Sequence, residues 1–177
     1  MKNQGFRRRH AGFSLMELVV VVAIIVVLAG LTLGAFGFIS QKQARTKAKV
    51  QVDLLAKEIQ EYHADNRSYP VNTDVNGEKG DEVLYKVLYW EGFEARDSGG
   101  KIYVKELDPN YNTKGGQAWI KGTDAQARIV DPWGNYYRYR TGEQAINPDF
   151  DLWSTGPDGK TNPDPKHKDS LDDVKSW

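Results

Sequence analysis

The residues of this chain that could do chemistry sit towards its two ends, and carboxylates dominate both sets. Near the start, Glu17 lies inside an apolar run, and residues 13–39 hold no other charge. An ionised carboxylate at the centre of a membrane helix costs about 2.5–3.5 kcal/mol on insertion scales, and less near the helix end. An opposite charge within reach removes much of that penalty. Cutting the chain nearby would create one. Gly12 has no side chain to crowd a scissile bond, and a cut between Gly12 and Phe13 frees an α-amine on Phe13, cationic or nearly so at a reference pKa of about 7.7–8. Within one helix that amine is about a turn from Glu17. Between staggered helices, the amine of an incoming subunit can meet Glu17 of the subunit before it. Glu17 then sets the register of assembly. The competing reading is a polar residue tolerated at a helix end.

The second set is C-terminal. Asp158, Asp164, Asp169, Asp172 and Asp173 lie in a stretch rich in Gly, Pro, Asp and Lys, whose loop backbone leaves carbonyl oxygens free. The chain has no cysteine, and its histidines (His10, His63 and His167) are far apart in sequence. Oxygen ligands favour a hard cation, and flexible six-to-eight coordination favours calcium over magnesium. The run from Asp158 lacks the glycine and closing glutamate of an EF-hand. A solvated acidic loop accounts for the same composition. No nucleophile, phosphate loop or paired acid–base set stands out, so an enzyme reading has little support.

The elements that must position these residues follow from charge and periodicity. Lys and Arg total 24, as do Asp and Glu, so the whole chain offers no case for nucleic acid. The distribution is uneven. Removing residues 1–12 takes away Lys2, Arg7, Arg8 and Arg9 and no acid, leaving 20 basic against 24 acidic residues. The run from Phe13 to Ile39 exceeds the roughly 20 residues that span a bilayer as a helix. The basic leader before it places the N-terminus in the cytoplasm. A secretory signal would have a shorter apolar core, of about 7–15 residues. A plain signal anchor fits the length but leaves Glu17 unexplained.

The helical period then continues without a proline. Ala44, Ala48, Val52, Leu55, Ile59 and Tyr62 make one apolar stripe, and Asp53 with Lys57 is an i,i+4 pair on an exposed face. Asp65-Asn66-Arg67-Ser68-Tyr69-Pro70 ends the pattern. One helix from about Ser14 to about Asn66 is therefore predicted. Gly30, Gly34 and Gly37 form a small-residue face within it. Beyond it the sequence predicts a compact head. Asp81 caps a short helix that buries Val83, Leu84, Val87 and Leu88. Strands follow over 101–107, 118–121, 136–141 and 150–153, and the chain closes with a turn near 171–177. Asp131-Pro132-Trp133-Gly134 reads as a tight turn with a buried indole. Arg138 and Arg140 read as a solvated strand face.

Gly12-Phe13-Ser14-Leu15-Met16-Glu17 resembles the prepilin signal of type IV pilins and pseudopilins. Three further blocks resemble the major pseudopilin of type II secretion systems: 65–70, Asp131-Pro132-Trp133-Gly134-Asn135-Tyr136-Tyr137, and 151–159 (DLWSTGPDG). So does the ending 171–177 (LDDVKSW). Minor pseudopilins and ordinary type IV pilins share the signal but generally lack the last two blocks. The resemblance implies cleavage between Gly12 and Phe13 by a prepilin peptidase, N-methylation of Phe13, and Glu17 as the assembly carboxylate. It also implies structural calcium on Asp158, Asp172 and Asp173, with backbone carbonyls near Thr155 and Lys160.

Two departures stand out. The segment 159–171 is longer than is usual and adds Lys160, Lys166 and Lys168, which makes Asp164 or Asp169 possible substitute ligands and loss of the site another outcome. Gly34 stands where many relatives carry proline.

The sequence thus predicts an α+β, pilin-like fold: a long N-terminal membrane helix packed by its C-terminal half on a small antiparallel sheet head. Residues 1–12 are the cytoplasmic leader, 13–40 the hydrophobic membrane and assembly helix, and 41–177 the periplasmic domain with its acidic loop at 154–177. The implied function is a structural subunit, not an enzyme. It would form a helical homo-oligomeric filament, the type II secretion pseudopilus, with minor pseudopilins and an inner-membrane assembly platform driven by a separate ATPase. No nucleic acid is implied. The alternatives are a type IV or competence-type pilin, and a membrane-anchored periplasmic binding module that never polymerises.

Overall fold

The structure, a computed structural model, describes residues 14–110 and 118–177, with the side chains of 32–38 excepted. It divides into two compact units, Met1–Ser40 and Gln41–Trp177. Helix α1 (Leu15–Asn66) runs for 52 residues, as the unbroken 3.6-residue period requires. In the first unit its apolar side chains are exposed from Leu15 to Leu31. Among the described residues no helix is long and apolar enough to cross a membrane. The small-residue face at Gly34 and Gly37 falls on positions whose surroundings are outside the description.

In the second unit the predicted stripe is the core face of α1. Ala48, Val52, Leu55 and Ile59 are completely buried, each larger side chain contributing about 1.5–3 kcal/mol by leaving water. Gln51 and Glu58 are buried as well. Gln51 Oε1 accepts a hydrogen bond from the buried Tyr137 hydroxyl at 2.9 Å. The surface pairing differs from expectation: Asp53 meets Lys49 at 2.9 Å, and Lys57 turns to its neighbour Glu58.

The residues that end α1 each have a structural task. Asp65 accepts from Lys101 Nζ at 2.6 Å and from the Tyr103 hydroxyl at 3.0 Å. Arg67 takes the left-handed conformation and donates its N–H to the His63 carbonyl, a helix-closing geometry. Tyr69 stacks on His63 with ring centroids 4.1 Å apart.

Helix α2 (Gly80–Tyr85) passes through a π-helical turn (Lys86–Trp90) into α3 (Glu91–Glu94). Asp81 does not cap α2. It sits in the first turn, buried, and accepts both Nε and Nη2 of Arg128 at 2.7 and 3.0 Å. The buried face is Leu84, Tyr85, Leu88 and Tyr89, while Val83 and Val87 are only half-buried. The wide turn explains a second departure. Residues 101–107 form no strand, because Tyr103 and Val104 both donate their N–H groups to the Leu88 carbonyl. Lys105–Leu107 then closes as a 3₁₀ turn.

Strands β1 (Ile120–Lys121) and β2 (Arg128–Ile129) make a short antiparallel ladder. The main sheet has the order β3-β4-β5, from β3 (Arg138–Thr141), β4 (Phe150–Ser154) and β5 (Val174–Lys175). The segment 171–177, expected to form a turn, supplies β5, which pairs Trp153 with Lys175 and Ser154 with Val174. The expectation of a solvated arginine face is also corrected. Arg140 opposes Asp151 across the β3–β4 ladder, is 3 % exposed, and donates Nε to Asp151 Oδ2 at 2.7 Å. Arg138 is half-buried.

Candidate functional site

The N-terminal constellation begins where the described residues begin. Gly12 and Phe13 lie outside them. Ser14 is the N-cap of α1: its carbonyl accepts the Leu18 N–H and its hydroxyl accepts the Glu17 N–H at 3.2 Å. Glu17 Oε2 in turn accepts the Ser14 N–H at 3.0 Å. This reciprocal pair is a capping box, which satisfies two of the backbone donors that a helix start leaves without partners. The Ser-x-x-Glu spacing carries that signal in the sequence, where the cost of burying Glu17 had drawn attention instead. Glu17 therefore has a local task at its own helix start, and the Phe13 amine would lie one residue before the cap.

The C-terminal constellation is built on the end of β4. The Asp131-Pro132-Trp133-Gly134-Asn135 segment is a tight turn closed by its own first side chain. Asp131 Oδ1 accepts the N–H groups of Trp133 and Asn135 at 3.0 and 2.9 Å. Asp131 Oδ2 accepts the Ser154 hydroxyl at 2.6 Å, and that hydroxyl accepts the Gly156 N–H at 3.1 Å. Burial pushes the Asp131 carboxyl above its usual range, against these hydrogen bonds. Trp133 is half-buried, with its indole N–H on Gln41 Oε1 at 2.9 Å. So the turn grips α1 on one side and the end of β4 on the other.

Beyond Gly156 the predicted ligand residues come together in part. The Asp158 N–H points to Asp172 Oδ2 at 3.5 Å, and Asp158 Oδ1 accepts the Lys160 N–H at 2.8 Å. Gly156 has φ +65°, and a Cβ there would stand 2.7 Å from both the Asp172 carbonyl and Asp172 Oδ2. Asp173 is buried, and its Oδ2 accepts the Thr161 hydroxyl at 2.9 Å. Burial, reinforced by repulsion from Asp172 and Asp158, pushes its carboxyl up to about 6. Among the described residues, Asp173 Oδ1 and the Thr155 hydroxyl oxygen are buried with no hydrogen-bond partner.

Asp164 and Asp169 do not join this cluster: Asp164 accepts from its own loop at Lys166, and Asp169 lies beside His167. Among the described residues the side chains of Lys160, Lys166 and Lys168 form no ion pair with it, but Lys175 approaches it. Its Nζ donates to the carbonyls of Pro165 and Ser170 at 3.2 and 3.0 Å and lies 3.9 Å from Asp173 Oδ2. Two basic side chains of α1 hold the same loop, Arg45 through the Asp172 carbonyl and Lys49 through the Lys175 carbonyl, each at 3.1 Å.

These residues fit a hard cation in their chemistry: two buried oxygens without a hydrogen-bond partner among the described residues, and a carboxyl pushed up by burial and by its acidic neighbours. Among the described residues no three carboxylates or imidazoles already converge on one point. An ion held here would need the Asp158 and Asp172 side chains to close on it.

Residues 7–33 match the family described as the prokaryotic N-terminal methylation motif. Residues 105–177 match the family described as type II secretion system (T2SS), protein G. The type II secretion system core protein G of Escherichia coli K12 is 30% identical over 172 residues, covering 96% of this chain and 92% of that protein. The Pseudomonas aeruginosa protein of the same description is 29% identical over 171 residues, covering 97% of both. The chain belongs to the type II secretion system core protein G family. The crystal structure of the major pseudopilin from the type 2 secretion system of enterohaemorrhagic Escherichia coli aligns over 80% of this chain and 89% of that one, with a TM-score of 0.41 and 22% identity.

Proposed function

We propose that this protein is a structural subunit of the type II secretion pseudopilus, anchored in the inner membrane with its C-terminal domain in the periplasm until it is assembled. The observation that carries this reading is the joint presence, on one chain, of the methylation motif at 7–33 and the protein G match at 105–177. A prepilin peptidase would cut between Gly12 and Phe13 and methylate the new amine. Subunits would then pack by the apolar side chains of α1 that are exposed from Leu15 to Leu31. Deleting the gene in its native host should strand folded exoproteins in the periplasm. Intact secretion with loss of surface fibres would overturn the reading in favour of a pilus.

The same reading includes structural calcium on Asp158, Asp172 and Asp173 and the carbonyls of Thr155 and Lys160. Bound calcium would supply positive charge to the crowded carboxylates and join the turn after β4 to the start of β5. The two orphaned buried oxygens, and the nearness of Asp172 and Asp158 to the buried Asp173, support it. An ion that binds only the folded chain stabilises it through mass action, by about 2.7 kcal/mol at a hundredfold excess over the dissociation constant. A chelator should therefore lower the melting temperature of the full chain in detergent, and restored calcium should raise it. An unchanged melting temperature would show that the longer loop has lost its ion.

A further inference from the structure

We propose that Asn135 is the positioning residue of the cation loop, holding the turn at 156–159 in the shape that presents its oxygens. The inference rests on the calcium reading above. Asn135 lies in the turn that packs beneath the end of β4, outside the ligand set. Its side-chain Nδ2 donates to the Gly156 carbonyl at 2.8 Å. Its Oδ1 lies 3.0 Å from where a Cβ of Gly159 would stand, and Gly159 has φ +68°. One amide therefore binds the first of the two glycines that bracket Pro157 and Asp158 and faces the space a side chain at the second would need.

Asp172 also lies against this turn, with its carbonyl and carboxylate close to Gly156. The turn thus has Asn135 and a proposed ligand as its neighbours at Gly156. Asn135 is itself held firmly. Its backbone N–H is taken by the buried Asp131 carboxylate, and its carbonyl accepts the Asp131 N–H at 2.8 Å. Asp131 also fixes Ser154, and through that hydroxyl the Gly156 N–H. The Asp131 turn thus constrains Gly156 at both its N–H and its carbonyl. Thr155 stands between those two anchored residues, so its carbonyl direction is set from outside the loop. This gives the Asp131-to-Asn135 block a purpose that a tight turn alone does not explain. Groups outside the ligand set that orient the ligands typically carry about 10- to 100-fold in metal affinity.

The test uses the full chain in detergent, with calcium affinity from equilibrium dialysis and melting temperature in chelator and in calcium. Asn135→Ala should weaken calcium binding by about 10- to 100-fold, while its melting temperature in chelator stays close to that of the unchanged chain. Tyr139→Phe, which deletes a buried hydrogen bond to the Pro70 carbonyl outside the loop, gives the scale of a purely structural loss. Unchanged affinity in Asn135→Ala would overturn the inference, as would a fall in melting temperature that is equal with and without calcium. If the unchanged chain binds no calcium, the calcium reading falls first and takes this one with it. If Asn135→Ala does not fold, the unchanged chain decides by nuclear magnetic resonance. The Asn135 side-chain amide signal should move during a calcium titration with the same midpoint as the Asp158 and Lys160 amides, and a static signal would sink the proposal.

Discussion

Asp151→Ala will destabilise the head domain by about 3–5 kcal/mol, the range for removing one partner of a buried ion pair. The expectation follows from what Asp151 holds. Its carboxylate is completely buried and accepts from Arg140 Nε, from the N–H groups of Ile146 and Asn147, and from the Asn147 side chain. Deleting it leaves a buried guanidinium without its counter-charge and three further donors without their acceptor. Arg140 also donates to the Val75 carbonyl and lies over the Trp153 ring, 5.1 Å from its centroid, so it cannot swing out to water without breaking other contacts. Chemical denaturation of the full chain in detergent measures the loss. Arg140→Met together with Asp151→Leu should recover most of it, because well-packed apolar side chains replace a buried pair at little net cost. A loss below about 1 kcal/mol for Asp151→Ala, the scale of an exposed pair, would show that the site admits water.

Glu17→Ala should leave the chain in the membrane and processed to Phe13, yet abolish filament assembly. Two tasks meet on that carboxylate, and a second variant separates them. Glu17→Gln keeps an oxygen to accept the Ser14 N–H and so preserves the capping box, but it carries no charge for an incoming amine. If charge pairing sets the register, Glu17→Gln fails to assemble just as Glu17→Ala does. Normal filaments from Glu17→Gln would reduce the residue to a helix cap. Mass measurement of the N-terminus checks that both variants are cut at Phe13, so a processing failure is not mistaken for an assembly failure.

The parts of the fold that were legible in the sequence are those governed by a repeating signal. The stripe from Ala48 to Ile59 repeats over about three turns, so the apolar part of α1's buried face could be assigned, while the polar Gln51 and Glu58 are buried beside it without any such signal. The head was less legible because its short strands carry few periods and its key pairings are tertiary. Tyr137-Arg138-Tyr139-Arg140 alternates as a half-solvated strand should, and nothing local shows that Arg140 will find Asp151 on the next strand. Asp81 has the position of a cap, but its partner Arg128 lies 47 residues away. The β-rich composition of 101–107 was overridden by a carbonyl that only the π-helical turn makes available. At the candidate site, the acidic residues were visible by type. The role of Asn135 was not, because it depends on a turn brought against the end of β4 by folding.

The core face of α1 is completed by strands made much later: the hydrogen bond from Tyr137 to Gln51 spans 86 positions. Contacts so distant in sequence slow folding, since the intervening chain must be ordered before they form. A chain made from its N-terminus presents Ala48, Val52, Leu55 and Ile59 long before β3 and β4 exist. During that interval the second half of α1 is as bare of cover as the first, and equally able to stick to a sister chain. The arrival of the strands covers Ala48, Val52, Leu55 and Ile59, while the apolar side chains from Leu15 to Leu31 stay exposed. Timing, as much as hydrophobicity, therefore decides which part of α1 is left for partners.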